Sequence, residues 1–158
     1  MWPWIDQLCD VLAHLHAQSP PIVHRDLKPA NVLLDEADRV MLIDFGIAKS
    51  FTPSITTRTV ARSASDGFSP PEQAMGIGTD QRSDVYALGA TLYLLLTGVR
   101  PPAAHQRVAG IDVIPPRQYV PDLPAGIEAT ILRALELSVA RRHAGIAEFR
   151  AALAGSSD

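Results

Sequence analysis

Only one part of the chain clusters its apolar residues as strands do. Val32-Leu33-Leu34 and Val40-Met41-Leu42-Ile43 flank a polar turn at residues 35–39 and read as a short hairpin. A two-stranded ribbon is not stable alone in water, so it needs other elements to lie against. Those elements are helical by pattern. Residues 3–17 carry Trp4, Ile5, Leu8, Cys9, Val11, Leu12 and Leu15 at helical spacing, with Pro3 suited to the first turn and Ser19-Pro20-Pro21 as the stop. Residues 83–96 form the strongest helix, expected to be capped by Ser83 or Asp84 and ended by Thr97-Gly98. Residues 125–137 are amphipathic, with Ile127, Ile131, Leu132 and Leu135 on one side, and residues 144–153 give the last helix. Short helices are expected near Pro71-Glu72 and within 103–109. The predicted fold class is mainly α, with one small β-hairpin.

Composition narrows the setting. The chain has 158 residues, enough for one domain with a real core, and 47% hydrophobic against 20% charged residues is an ordinary globular balance. A net charge of -3 does not point to nucleic acid or an anionic membrane as a partner. The one cysteine, Cys9, cannot form an internal disulfide and reads as a small buried apolar residue on a helix. The longest apolar stretch, residues 85–96, is too short and interrupted to span a bilayer. No basic-then-apolar leader opens the sequence, so a cytoplasmic location is the expectation.

The residues with chemical capacity gather at the two ends of the hairpin. Before it stands His24-Arg25-Asp26-Leu27-Lys28-Pro29-Ala30-Asn31, and after it Asp44-Phe45-Gly46. An aspartate, an asparagine five positions later and a second aspartate, on two nearby loops, can supply one base and two metal contacts. Phosphoryl transfer needs mainly this positioning and charge neutralisation, and a hard divalent ion takes oxygen ligands of these kinds. Further along, a loop rich in Ser and Thr leads to Pro70-Pro71-Glu72, and Arg141-Arg142-His143 precedes the last helix.

In this order and spacing, the motifs resemble those of the eukaryotic-type (Hanks-type) Ser/Thr protein kinases, in a bacterial style. The resemblance extends over essentially the whole chain, but only over the second lobe of the family's two-lobe domain. It implies a protein kinase C-lobe as a partial domain at residues 1–154, with a frayed tail at 155–158; the complete family domain is α+β. It implies Asp26 as catalytic base and Lys28 as the lysine that neutralises the transferring phosphoryl group, a residue favouring Ser/Thr over Tyr. Asn31 and Asp44 would hold Mg²⁺ (or Mn²⁺), and with Leu33, one wall of an adenine site, they would contact ATP. Structural roles are implied for His24 and Phe45, packed in a hydrophobic column. Arg25 would pair with a phosphate on the activation segment. Asp84 would cap the backbone of the catalytic loop, and Glu72 would pair with buried Arg142, leaving Arg141 a solvated neighbour. Candidate phosphosites are Thr56, Thr57 and Thr59, and Ser65 keeps a hydroxyl where the family usually has threonine. The implied partners are ATP and a protein substrate bearing Ser or Thr.

The same resemblance exposes a gap. The family's glycine-rich loop, strand lysine and helix glutamate all precede the His-Arg-Asp stretch, yet here the first lysine is Lys28, the first glutamate Glu36 and the first glycine Gly46. The expectation is therefore that the N-lobe is absent from these residues, that Met1 is not the natural start of a working kinase, and that this chain alone binds ATP poorly. Exposed apolar surface is expected on the face the N-lobe would cover, with association through it. Two other readings stay open: a non-catalytic, pseudokinase-like interaction module, and a small-molecule phosphotransferase of the aminoglycoside-kinase type.

Overall fold

The computed structural model describes residues 2–44 and 67–156. Helix α1, Pro3–His16, begins on a proline and buries Ile5, Leu8, Cys9 and Leu12, one stripe at the spacing a helix requires. Burial pushes the Cys9 thiol up to about 12, so it stays protonated and packs as an apolar side chain. The opposite face of α1 is acidic. Asp6 and Asp10 both accept hydrogen bonds from Arg150, at 2.7 and 2.6 Å, which ties the first helix to the last.

The hairpin follows, β1 (Val32–Leu34) antiparallel to β2 (Val40–Leu42), with Val32 opposite Leu42 and Leu33 opposite Met41. Asp35 closes its turn by accepting from the backbone N–H of Ala37 and of Arg39, both at 2.9 Å. Gln7 of α1 brackets the ribbon: its amide nitrogen donates to Asp38 O at 2.9 Å and its oxygen accepts from Val40 N at 3.0 Å. A ribbon too small to stand alone is thus fastened to a helix by one side chain.

After the short helix α2, Pro71–Met75, the chain enters α3, Gln81–Thr97, the axis of the core. Every residue from Ser83 to Tyr93 is buried, so these three turns of the helix are enclosed on all sides. Its cap is not the expected Ser83 or Asp84. Asp80 accepts from Arg82 N at 2.7 Å instead, and the helix begins two residues earlier. The physical reason is that Ser83 and Asp84 are spent elsewhere: Ser83 Oγ donates to Glu72, and Asp84 faces residues 16–25. Gly98, at φ +73°, ends α3 in a left-handed conformation that favours glycine.

Three further helices close the fold: α4 (Ala104–Val108), α5 (Ala125–Ala134) and α6 (Ile146–Ala154). Helix α5 crosses α3 at Gly89, where an added Cβ would stand 2.7 Å from Ala134 Cβ. It is three residues shorter than expected at its C-terminal end. The carbonyls of Leu135, Glu136 and Leu137 turn to accept from Arg107 and Arg142 rather than continuing the helix. Of the expected frayed tail, Gly155 and Ser156 fall within the described residues, and Ser156 sits where a Cβ on Gly126 would have to go, 2.6 Å from its Oγ. Residues 157 and 158 lie outside them. The result is a mainly helical body with one two-stranded antiparallel sheet.

Candidate functional site

The loop from His24 to Asn31 leaves α1 and enters β1, and its shape is set by α3 beneath it. Asp84, in the first turn of α3, has no solvent exposure. A carboxylate so placed needs several donors to offset its lost hydration. It has three neighbours for that purpose. Asp84 Oδ2 accepts from His24 N at 2.8 Å and lies 2.8 Å from His16 Nε2, while Oδ1 accepts from Arg25 N at 3.0 Å. The positive end of the helix dipole adds a favourable field at this position.

His24 is fully buried beside it. Its Nδ1 accepts from Asp26 N at 3.3 Å and its Nε2 faces Ile43 O at 3.3 Å, an arrangement that suits a neutral ring protonated on Nε2. Burial holds this imidazole below the ordinary histidine range, against the upward pull of Asp84. His143, also buried, is held low by burial and by nearby Arg133, with Glu148 opposing. Its ring meets Phe149 edge-on at 5.3 Å. For both groups the unfolded chain takes up a proton near pH 6.5 and the folded chain does so only at lower pH. Stability is therefore expected to fall as pH drops below about 6.5. Urea midpoints at pH 7 and pH 5 check this, and His143→Met should flatten the slope.

Asp26 is nearly buried, 9% exposed, and its neighbours converge on it. Asn31 Nδ2 donates to Asp26 O at 2.7 Å and to Asp26 Oδ2 at 3.1 Å, and Lys28 Nζ lies 3.3 Å from the same Oδ2. The five-residue separation becomes contact because Pro29–Asn31 form one 3₁₀ turn, closed by Asn31 N donating to Lys28 O at 2.9 Å. Because Nδ2 is directed at Asp26, Oδ1 is the Asn31 atom that can hold a cation.

Asp44 is reached through the backbone. Ile43 N donates to Asn31 O at 3.0 Å and Ile43 O faces His24, so Asp44 directly follows a residue fastened to the loop at two points. It is exposed, with φ at +53°. An amide oxygen and a carboxylate on adjoining segments are the donor set that a hard divalent ion takes, alongside water and phosphate oxygens. Leu33 and Met41, paired across the hairpin, are 42% and 48% exposed, with exposed Ile43 two residues on from Met41; exposed Leu34, paired with Val40, lies on the other face of the ribbon.

A second cluster lies below. Arg142 donates from Nη1 to Glu72 Oε1 at 2.7 Å and from Nη2 to Glu72 Oε2 at 2.9 Å, a two-point pairing. Ser83 Oγ donates to Glu72 Oε1 at 2.9 Å. The guanidinium also bonds the carbonyls of Arg82, Glu136 and Leu137 and stacks 4.9 Å over the Tyr86 ring. Burial works against ionised Glu72, but the bonds from Arg142 prevail and hold its carboxyl below the usual range. Arg141 is exposed, as is Arg25.

Phe45, Thr56, Thr57, Thr59 and Ser65 lie outside the described residues. Sequence reasoning missed His16, whose side chain is 5% exposed against Asp84. The available signal was its place in the last turn of α1, four residues after buried Leu12 and on the same face. It also missed Tyr86 as the platform under Arg142.

Residues 2–116 match the protein kinase domain family. The chain is 38% identical over 153 residues to Serine/threonine-protein kinase PknB of Mycobacterium leprae, a match covering 92% of this chain and 24% of that protein. It is 37% identical to Tyrosine-protein kinase MasK of Myxococcus xanthus, covering 84% of this chain and 21% of that one. Among solved structures, "PpkA-294 apo form" superposes with a TM-score of 0.82 at 27% identity, covering 95% of this chain and 52% of the other. The chain thus spans about a quarter of the length of these curated relatives and about half of that solved structure.

Proposed function

This chain belongs to the protein kinase domain family, and we propose that it is the C-terminal lobe of a Ser/Thr protein kinase, the partial domain at residues 1–154, working with an N-lobe carried outside these residues. The single observation that carries the reading is the convergence of Asn31 and Lys28 on the Asp26 carboxylate.

Asp26 orients the substrate hydroxyl and takes its proton, as a base held within reach of the reacting oxygen must. Asn31 fixes that carboxylate through Nδ2. Lys28, beside Asp26 Oδ2, offsets charge that develops on the phosphoryl group in flight. Asn31 Oδ1 and Asp44 would hold Mg²⁺, which when bound neutralises phosphate oxygens. Leu33 would give the adenine ring one apolar wall. Asp84 keeps the loop backbone in place, and Glu72 with Arg142 keeps α2 against α3. Arg25, exposed on the loop, is available to a phosphate on Thr56, Thr57 or Thr59.

Ser/Thr rather than Tyr specificity rests on Lys28, since one of the relatives reported above is named a tyrosine kinase. The exposed Leu33, Met41 and Ile43 are the surface on which the N-lobe would sit. ATP as phosphoryl donor makes the cytoplasm the fitting location, and among the described residues no helix is long and apolar enough to cross a membrane.

The test compares phosphate transfer from ATP to peptides carrying Ser, Thr or Tyr as sole acceptor. The chain alone should bind Mg·ATP weakly and transfer little; joined to an N-lobe it should phosphorylate the Ser and Thr peptides. Micromolar Mg·ATP affinity in the chain alone would contradict the split-lobe reading, and preference for the Tyr peptide would contradict the specificity.

A further inference from the structure

We propose that Gln73 is a positioning residue for the catalytic loop, acting through the carbonyl of Arg25. This rests on the reading of Asp26 given above. Arg25 adopts φ +66°, a left-handed conformation that is strained for a non-glycine residue and persists only where surrounding contacts impose it. Two contacts impose it here, one on each side of the residue. Asp84 Oδ1 accepts from Arg25 N at 3.0 Å, and Gln73 Nε2 donates to Arg25 O at 2.6 Å.

That carbonyl belongs to the peptide joining Arg25 to Asp26. Holding it fixes the plane from which the Asp26 Cα departs, and the N–H on the same peptide donates to His24 Nδ1. Gln73 is well placed to be the fixed end. Its own N–H donates to Pro70 O at 3.1 Å, and its neighbour Glu72 is clamped by Arg142 and Ser83. A rigid path therefore runs from the buried Arg142 through α2 to the residue before Asp26. The chemistry requires an amide: a glutamate of the same shape has no N–H to give and sets its charge against a carbonyl oxygen.

Gln73→Glu tests this with two readouts. Hydrogen exchange on the 158-residue chain should show the Arg25 and Asp26 amides exchanging at least tenfold faster, while the amides of Leu88 and Ile131 in the core are unchanged. In the kinase assembled with its N-lobe, kcat should fall at least tenfold, with KM for Mg·ATP and peptide within twofold of wild type. Unchanged exchange at Arg25 and Asp26 overturns the proposal, as does a rise in KM with kcat intact. If the assembled wild-type protein transfers no phosphate, the functional reading fails, and the exchange comparison alone decides whether Gln73 braces the loop.

Discussion

Asp26→Asn should lower kcat by roughly 10²–10⁴, the usual contribution of a positioned general base. The side chains are nearly the same size, and the amide can still offer its oxygen to Asn31 Nδ2. The Asn31 and Asp44 oxygens are untouched, so KM for Mg·ATP should stay within a few-fold and the fold should be retained. Such a split, kcat lost with nucleotide binding kept, is what removal of a group acting at the transition state produces. The neighbourhood of Asp26 explains why the loss is specific. With Lys28 Nζ 3.3 Å away and Asn31 Nδ2 3.1 Å away, this carboxylate is held in one orientation, and no other described carboxylate is so held on this loop. Steady-state kinetics on Ser or Thr peptides, with the chain joined to an N-lobe, measures it. A fall of less than tenfold would mean that Asp26 is not the base.

Arg142→Ala should cost about 3–5 kcal/mol, because it strands a carboxylate whose partner it removes. Few single changes reach that size, and here several mechanisms combine. The guanidinium is fully enclosed, pairs Glu72 at two points, satisfies three carbonyls and covers the Tyr86 ring. Urea unfolding gives the figure, and Glu72→Gln supplies a milder comparison if the alanine variant does not fold. The double variant Arg142→Met with Glu72→Met should lose less than the sum of the single ones, since neither charge is then left alone. A cost under about 1 kcal/mol for Arg142→Ala would show the pair to be dispensable.

The fold was legible wherever a pattern repeats locally. The stripe of α1, the hairpin with its polar turn and the all-round apolar α3 can each be read from spacing, because each needs only its own residues and a surface to pack on. What spacing did not show is where a polar side chain is spent. Ser83 and Asp84 both look like caps by helical pattern; the resemblance already assigned Asp84 to the loop backbone, where it meets His24 and Arg25, but only the folded chain reveals that Glu72 claims Ser83 and that capping falls to Asp80. The end of α5 was overestimated for a related reason: the carbonyls after Ala134 find side-chain partners, Arg107 from 28 residues earlier and Arg142 from six residues on. At the site, Asp26, Lys28 and Asn31 could be chosen from one short motif, whereas His16 and Gln73 act through contacts across 68 and 48 residues and carry no local signature.

The central claim is that Asn31 and Asp44 hold one cation beside Asp26. Paramagnetic Mn²⁺ added with ATP to the isotopically labelled chain measures this most directly, because line broadening reports proximity even when binding is weak. The account predicts that the Asn31 side-chain amide and the Asp44 backbone amide broaden together, with Asp26 close behind, and that Asn31→Ala or Asp44→Ala removes the effect at both. Broadening at only one of them, or centred on another face of the protein, would contradict it.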